Sequence, residues 1–129
     1  MKILILLIML FLHIVDDYYL QGVLANMKMK EWWDKQTDNP LYKNDYKMAL
    51  IEHAFSWTFV MMSPIMVLMI YNNDYRRLIP YLLFLIENTI VHAIIDNLKA
   101  NKRSINLVID QTSHFIQIVS TWFGLILFY

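Results

Sequence analysis

The sequence contains no cysteine and only two glycines. Without a thiol, the chain cannot form a disulfide, a thiolate nucleophile or a thiolate metal site. The cysteine content therefore does not indicate whether the protein is in an oxidising or a reducing compartment. Charged residues are also scarce, at 17% of the chain against 58% apolar residues. This balance is far from that of soluble proteins and predicts a protein whose solvent is the lipid bilayer. Because the net charge is zero, we expect no nucleic-acid partner.

Four charge-poor segments are long enough to cross a bilayer at about 1.5 Å per residue. We expect spans near residues 2–25, 47–71, 77–98 and 104–129, with a long polar loop at residues 27–46. The other two connections are short, and short connections make consecutive helices antiparallel neighbours. No A-x-A-like cleavage site follows the first apolar run, so we expect an uncleaved span there. The sequence therefore predicts one all-α domain over residues 1–129, a transmembrane four-helix up-down bundle.

The distribution of lysine and arginine predicts the orientation of this bundle. Eight of the eleven basic residues lie in or beside the long loop and the last connection. They are Lys28, Lys30, Lys35, Lys43, Lys47, Lys99, Lys102 and Arg103. Because cytoplasmic loops of membrane proteins carry the excess of basic residues, we expect these two loops in the cytoplasm and both termini outside. The expected location is a bacterial inner or plasma membrane.

Each predicted span has an apolar half and a polar half. The polar half comes late in the first and third spans and early in the second and fourth. Because consecutive helices alternate in direction, all four polar halves fall in the same leaflet, which the orientation makes the cytoplasmic one. Their histidines and carboxylates are His13, Asp16, Asp17, Glu52, His53, Glu87, His92, Asp96, Asp110 and His114.

Three of the four histidines have an aspartate four residues away. These pairs are His13 with Asp17, His92 with Asp96, and Asp110 with His114. Residues at i and i+4 share one face of a helix, so each pair points in one direction. A lipid-facing carboxylate at this depth would cost several kcal/mol, and we therefore expect the pairs to face one another inside the bundle. Asp16 and Glu52 lie off these faces. A solvated position is expected for Glu52, and either a solvated helix end or a general base for Asp16.

Facing carboxylates repel one another unless a cation lies among them or they take up protons. Imidazole and carboxylate ligands without thiolate suit a divalent transition metal, with zinc preferred and iron or manganese as alternatives. The predicted ligands, enough for one or two ions, are His13, Asp17, His53, His92, Asp96, Asp110 and His114. Two other interpretations stay open: hydrogen-bonded pairs that only join helices, and a haem held by two histidines.

The motifs also resemble a known family. They are H-x3-D-Y-x-x-Q at residues 13–21, a histidine early in the second span, H-x3-D-x-x-K at residues 92–99 and D-Q-x-x-H at residues 110–114. In order and spacing they are similar to small bacterial and phage membrane proteins known as domain of unknown function 3307. The resemblance implies a multi-span inner-membrane protein, often linked to prophages, without an established activity. One departure is that the family pattern often has a second histidine in the second span, which residues 54–59 lack.

More loosely, the pattern is similar to membrane-bound metal-dependent hydrolases. We therefore predict a hydrolase with a one-sided pocket, acting on a phosphate-bearing lipid or lipid-linked substrate. The predicted catalytic residues are Asp17, Asp96 and Asp110 as metal ligands or general base, Gln21 and Gln111 as groups that orient water or substrate, and Lys99 as a partner for anionic oxygens. Alternatives are a non-catalytic metal-binding protein with a structural, sensing, lysis or exclusion role, and a proton- or ion-coupled transporter. A homo-oligomer is compatible with the sequence.

Overall fold

The structure is a computed structural model in which residues 1–127 are described. Within these residues it contains six α-helices and no β-strand. The helices are α1 (Lys2–Val15), α2 (Leu24–Met27), α3 (Lys30–Gln36), α4 (Asp45–Tyr71), α5 (Leu78–Ala100) and α6 (Leu107–Trp122). Two π-helical segments, Asp16–Leu20 and Phe123–Leu127, continue α1 and α6. The protein is therefore all-α.

Three helical stretches are long and apolar enough to cross a membrane: Lys2–Leu20, Pro40–Tyr71 and Tyr75–Ala100. They correspond to the first three predicted spans. The fourth predicted span corresponds to α6 and the π-helical segment after it, and it extends into residues 128 and 129, outside the described residues. That span stays a prediction.

The first helix ends earlier than the sequence suggested, and the long loop is less irregular. Regular helix does not continue to residue 25, because Gly22 adopts a positive φ of 52°, a conformation that a residue without a Cβ accepts at little cost. The chain turns there before α2 begins. The loop expected at residues 27–46 contains α3 and a 3₁₀ turn at Pro40–Tyr42. Arg103 contacts Glu31 of α3 at 2.6 Å and thereby ties this loop to the α5–α6 connection.

Helix α4 packs against α1, α2 and α5, and α6 packs against α1 and α5. The side chains of the main buried apolar cluster lie towards the end of the helices that is far from the long loop. They are Ile5, Met9, Trp57, Met61, Met62, Ile65, Met69, Tyr81, Ile118, Leu125 and Ile126. A Cβ on Gly124 would lie 2.7 Å from Phe84 Cζ, so glycine permits the close approach of the last helical segment to α5.

Pro64 lies in the middle of α4 without ending it. Proline has no N–H, so the carbonyl of Val60, four residues earlier, loses its helical donor. The hydroxyl of Ser63 donates to this carbonyl at 2.8 Å. In a helix surrounded by lipid, a backbone carbonyl has no water to bind, and the neighbouring serine therefore restores the missing hydrogen bond.

We expect Ser63→Ala to lower the free energy of unfolding by about 1 kcal/mol, because the Val60 carbonyl would be left without a donor. The matched control is Ser113→Ala, which removes a hydroxyl bonded to the Ile109 carbonyl at 2.7 Å. That carbonyl keeps its backbone donor in α6, so little change is expected. Denaturant titration of both variants in detergent measures the difference, and equal losses would contradict this role for Ser63.

Candidate functional site

The carboxylate of Asp96, on α5, lies among three buried imidazoles. Its Oδ2 is 3.1 Å from His53 Nε2, and its Oδ1 is 3.6 Å from His114 Nε2 and 3.8 Å from His92 Nε2. The Nε2 atoms of His53 and His92 are themselves 3.1 Å apart. All four residues are at most 4% exposed. Helices α4, α5 and α6 thus bring ring nitrogens to one point, as the sequence predicted for these residues.

Two overlapping triads are formed in this cluster. One ligand atom from each of Asp17, His53 and His92 lies within 4.8 Å of the other two, and the same holds for His92, Asp96 and His114. His92 belongs to both triads. Ligands at about 2.1 Å from a metal lie roughly 3–4 Å from one another, so small side-chain rotations would bring either triad to coordination distance.

Two glutamines hold the carboxylates at the rim of the cluster. Gln111 Nε2 donates to Asp17 Oδ2 and to Asp110 Oδ2, both at 3.0 Å. Gln21 Nε2 donates to Asp17 Oδ1 at 2.7 Å. Both glutamines were predicted to orient water or substrate. In the structure their amide groups donate to carboxylates, and this fixes the direction in which Asp17 and Asp110 present their remaining lone pairs. A role with water or substrate stays a prediction.

His13 lies beside the triads and belongs to neither. The indole Nε1 of Trp57 donates to His13 Nδ1 at 2.8 Å, so in the neutral ring the proton is on Nε2. His13 Nε2 then donates to Gln111 Oε1 at 3.1 Å. Both ring nitrogens have partners, and neither is available for a metal without breaking a buried hydrogen bond. His13 was predicted as a ligand together with the other histidines, because residue spacing cannot show which partner each ring nitrogen has.

Unlike His13, His114 has a hydrogen-bond partner within residues 1–127 for only one of its ring nitrogens. Gln117 Nε2 donates to the carbonyl of Asn88 at 3.1 Å, which makes Gln117 Oε1 the acceptor for His114 Nδ1 at 3.2 Å. In the neutral ring the lone pair is then on Nε2, which has no hydrogen-bond partner among the described residues. It faces Asp96 Oδ1 at 3.6 Å and Asp110 Oδ1 at 3.5 Å. A lone pair directed at two carboxylates is stabilised only by a cation or a proton between them.

Trp57 forms an apolar wall against the imidazoles. Its ring stacks on His92 with centroids 4.2 Å apart, and His92 stacks on His114 at 4.1 Å. Trp57 has no exposed surface. The stacked rings leave the imidazoles little freedom to rotate, and the wall separates the cluster from the apolar core at the far end of the helices.

Two lysines contact the cluster from the side of the long loop. Lys28 Nζ lies 2.6 Å from Asp96 Oδ2, and Lys99 Nζ lies 2.6 Å from Asp110 Oδ2. Lys28 follows α2, and its segment is held by Asn101, whose amide donates to the Lys28 carbonyl at 3.1 Å. The sequence predicted a role for Lys99 with substrate oxygens. In the structure its ammonium group is already paired with a carboxylate.

The cluster contains more negative than positive charge. It includes four buried or largely buried carboxylates, those of Asp16, Asp17, Asp96 and Asp110, and two lysine ammonium groups, which contact Asp96 and Asp110. With neutral imidazoles, two negative charges remain. Buried atoms without a partner among the described residues include Asp16 Oδ2, Asp110 Oδ1, His92 Nδ1 and His114 Nε2. Because uncompensated buried charge is costly, this composition suits a divalent cation.

Sequence reasoning missed Lys28 and Trp57, and for Asp16 it left a solvated helix end and a general base as alternatives. Asp16 is 2% exposed and accepts a hydrogen bond from Ser56 at 3.3 Å. It begins the π-helical segment, and such segments are frequent at functional sites. Lys28 lies in a loop, 68 positions before Asp96 in the sequence. No local spacing could therefore have indicated this contact. Glu52 is exposed, as expected for a residue off the inner faces.

Comparison with known proteins gives one finding. A family model with the description "Protein of unknown function (DUF3307)" matches residues 5–128, a range that includes every residue of the cluster. No curated protein and no solved structure gives a significant match.

We expect Lys28→Met to lower the free energy of unfolding by about 2–3 kcal/mol, because Asp96 would lose the ammonium partner of a buried carboxylate. Adding Asp96→Asn to this variant should recover part of the loss. Lys30→Met, which removes an exposed lysine two positions away, serves as the control and should change stability by less than about 0.5 kcal/mol. Equal effects of the two lysine substitutions in denaturant titrations would show that the Lys28–Asp96 pair contributes nothing.

Proposed function

The chain belongs to the family described as protein of unknown function DUF3307, and we propose that it is a membrane-embedded, metal-dependent hydrolase. The resemblance seen in the spacing of its histidines and aspartates is thereby confirmed. The family description assigns no activity, so the proposal rests on the chemistry of the cluster. Its main support is the pair of triads that share His92, with ligand atoms within 4.8 Å of one another.

We further propose that the four long helices form an up-down transmembrane bundle whose long loop faces the cytoplasm of a bacterium. The support is the excess of basic residues in that loop and in the α5–α6 connection, together with three helices of sufficient length and apolarity. In this orientation both termini are outside and the cluster lies in the cytoplasmic leaflet. It is then within reach of substrates whose charged part lies at the membrane surface.

The metal proposal is supported by the hydrogen-bond pattern of His114. Gln117 fixes the proton of the neutral ring on Nδ1 and leaves the lone pair of Nε2 towards Asp96. A histidine that ligates a metal commonly donates its other N–H to an oxygen acceptor in this way. His92, Asp96 and His114 would hold the ion. Asp17, His53 and His92 would form an alternative position for it, because the single lone pair of His92 Nε2 binds one ion at a time. Zinc fits a ligand set of imidazole and carboxylate, with iron or manganese as alternatives.

When bound, a divalent metal makes a coordinated water acidic enough to act as a nucleophile near neutral pH. The chain's own residues would supply the remaining functions. Asp110 has a free Oδ1 beside His114 and is suited to accept a proton. Gln111 keeps Asp110 and Asp17 in fixed orientations. Lys28 and Lys99 would exchange their carboxylate partners for the anionic oxygens of a substrate, which favours a phosphate-bearing lipid or lipid-linked compound.

A second candidate is a metal site without catalysis, with a structural, sensing, lysis or exclusion role. One observation favours it: the ligands are almost fully buried, and the Lys28–Asp96 contact closes the side that faces the long loop. For a hydrolase, the segment around Lys28 would have to move to admit a substrate. Ion or proton coupling across the membrane is a weaker third candidate.

We expect the purified, folded protein to retain at least about one transition-metal ion per chain. His92→Ala should lose most of it, because His92 belongs to both triads. His13→Ala is the matched control, since His13 is equally buried but has both nitrogens engaged, and it should retain the ion. Elemental analysis of the monodisperse fractions measures the content. Folded wild-type protein without metal, after reconstitution with zinc, iron and manganese in turn, would end the proposal.

We expect the metal-loaded protein in lipid vesicles to release phosphate from a panel of short-chain lipid phosphates. Chelation should stop the release, and the restored metal should return it. His53→Ala, which removes a ligand of one triad only, should keep its fold and part of its metal while the rate falls by at least about 100-fold. If His53→Ala loses its metal and unfolds, and loaded wild-type protein releases no phosphate, the non-catalytic candidate replaces the hydrolase.

A further inference from the structure

Glu87 lies exposed on the outer face of α5. It is near the middle of the membrane-length stretch Tyr75–Ala100, so in a bilayer its carboxyl group would be surrounded by acyl chains. The neighbouring residues on this face are all apolar and exposed: Leu83, Ile86, Ile90 and Ile94. Ionisable side chains at such a depth rarely face lipid, and those that occur are usually paired.

Glu87 has no partner among the described residues of its own chain. Among residues 1–127 it makes no hydrogen bond and no ion pair. The inner face of α5 carries Asn88, His92 and Asp96, which are buried, so Glu87 points away from the metal-binding cluster. The group therefore needs a partner that comes from outside the chain.

We propose that α5 is the contact surface of a homodimer, in which the carboxyl group of Glu87 pairs with Glu87 of a second copy. Two copies in one membrane have the same orientation, so a two-fold axis along the membrane normal brings the same residue of each copy to the same depth. The two carboxyl groups would hydrogen-bond to each other across this axis. A carboxyl group can pair with itself in this way, whereas a lysine or arginine cannot.

The rest of the chain favours a second copy as the partner. Residues 78–98 and 105–127 contain no lysine or arginine, so no basic side chain of another copy is available at the depth of Glu87. On α5, Leu83, Ile90 and Ile94 stand at i−4, i+3 and i+7 from Glu87, which makes one continuous apolar strip along the helix. Such a strip with one central polar group is suited to helix association in lipid, where interhelical hydrogen bonds supply part of the attraction.

Cysteine crosslinking in membranes tests the geometry, and the cysteine-free sequence makes each introduced thiol unique. Leu83→Cys and Ile90→Cys place a thiol on the proposed surface, and Leu7→Cys places one on the exposed face of α1 as the control. After oxidation, the two α5 variants should give disulfide-linked dimers and the control should give few. Equal crosslinking at all three positions, or none on α5, would overturn the proposal.

Substitution of Glu87 in the Ile90→Cys background tests the pairing. Glu87→Leu should reduce the crosslinked dimer by about tenfold, because the hydrogen bond is lost. Glu87→Gln should preserve it, because an amide can also pair with itself. A circular-dichroism melting curve of each variant checks that the fold is unchanged. Crosslinking that is insensitive to Glu87→Leu, or a Glu87-dependent adduct with a different protein in place of the dimer, would contradict the assignment of a second copy.

Discussion

A carboxylate buried among apolar helices has no water to solvate it, and the protein itself must therefore compensate its charge. This requirement explains the arrangement at the loop end of the structure. Asp96 is surrounded by imidazoles and an ammonium group, and Asp110 is held by Lys99 and Gln111. At the opposite end, the described core consists mainly of methionine, isoleucine and leucine. Polar and apolar side chains are thus separated along the helices, and the candidate site lies at the loop end.

Much of the cluster could be predicted from the sequence because helical periodicity is a local property. A spacing of four residues put His92 with Asp96 and Asp110 with His114 on common faces, and the structure brings both pairs to one point. Periodicity cannot show which partner each ring nitrogen finds. His13 was grouped with the ligands for this reason, although Trp57 and Gln111 engage both of its nitrogens.

The contacts that sequence reasoning could not find are those made by irregular segments. Lys28 reaches Asp96 because Gly22 turns the chain after the first helix and Asn101 holds the backbone that follows α2. The turn at Gly22 and the contact of Asn101 depend on tertiary packing, and they leave no periodic pattern in the sequence. The same applies to Asp16, which is buried where the π-helical segment begins. These irregular segments also bear on the proposed function, since the Lys28 segment is the part that would have to move to admit a substrate.

The central claim is that His92, Asp96 and His114 surround a divalent cation. Anomalous diffraction from crystals of the metal-loaded protein, recorded above and below the absorption edge of the metal, tests it most directly. We expect a single strong peak in the cluster, about 2.0–2.2 Å from the Nε2 atoms of His92 and His114 and from a carboxylate oxygen of Asp96. Peaks only at exposed acidic residues, or no anomalous peak in the cluster of metal-loaded crystals, would contradict it.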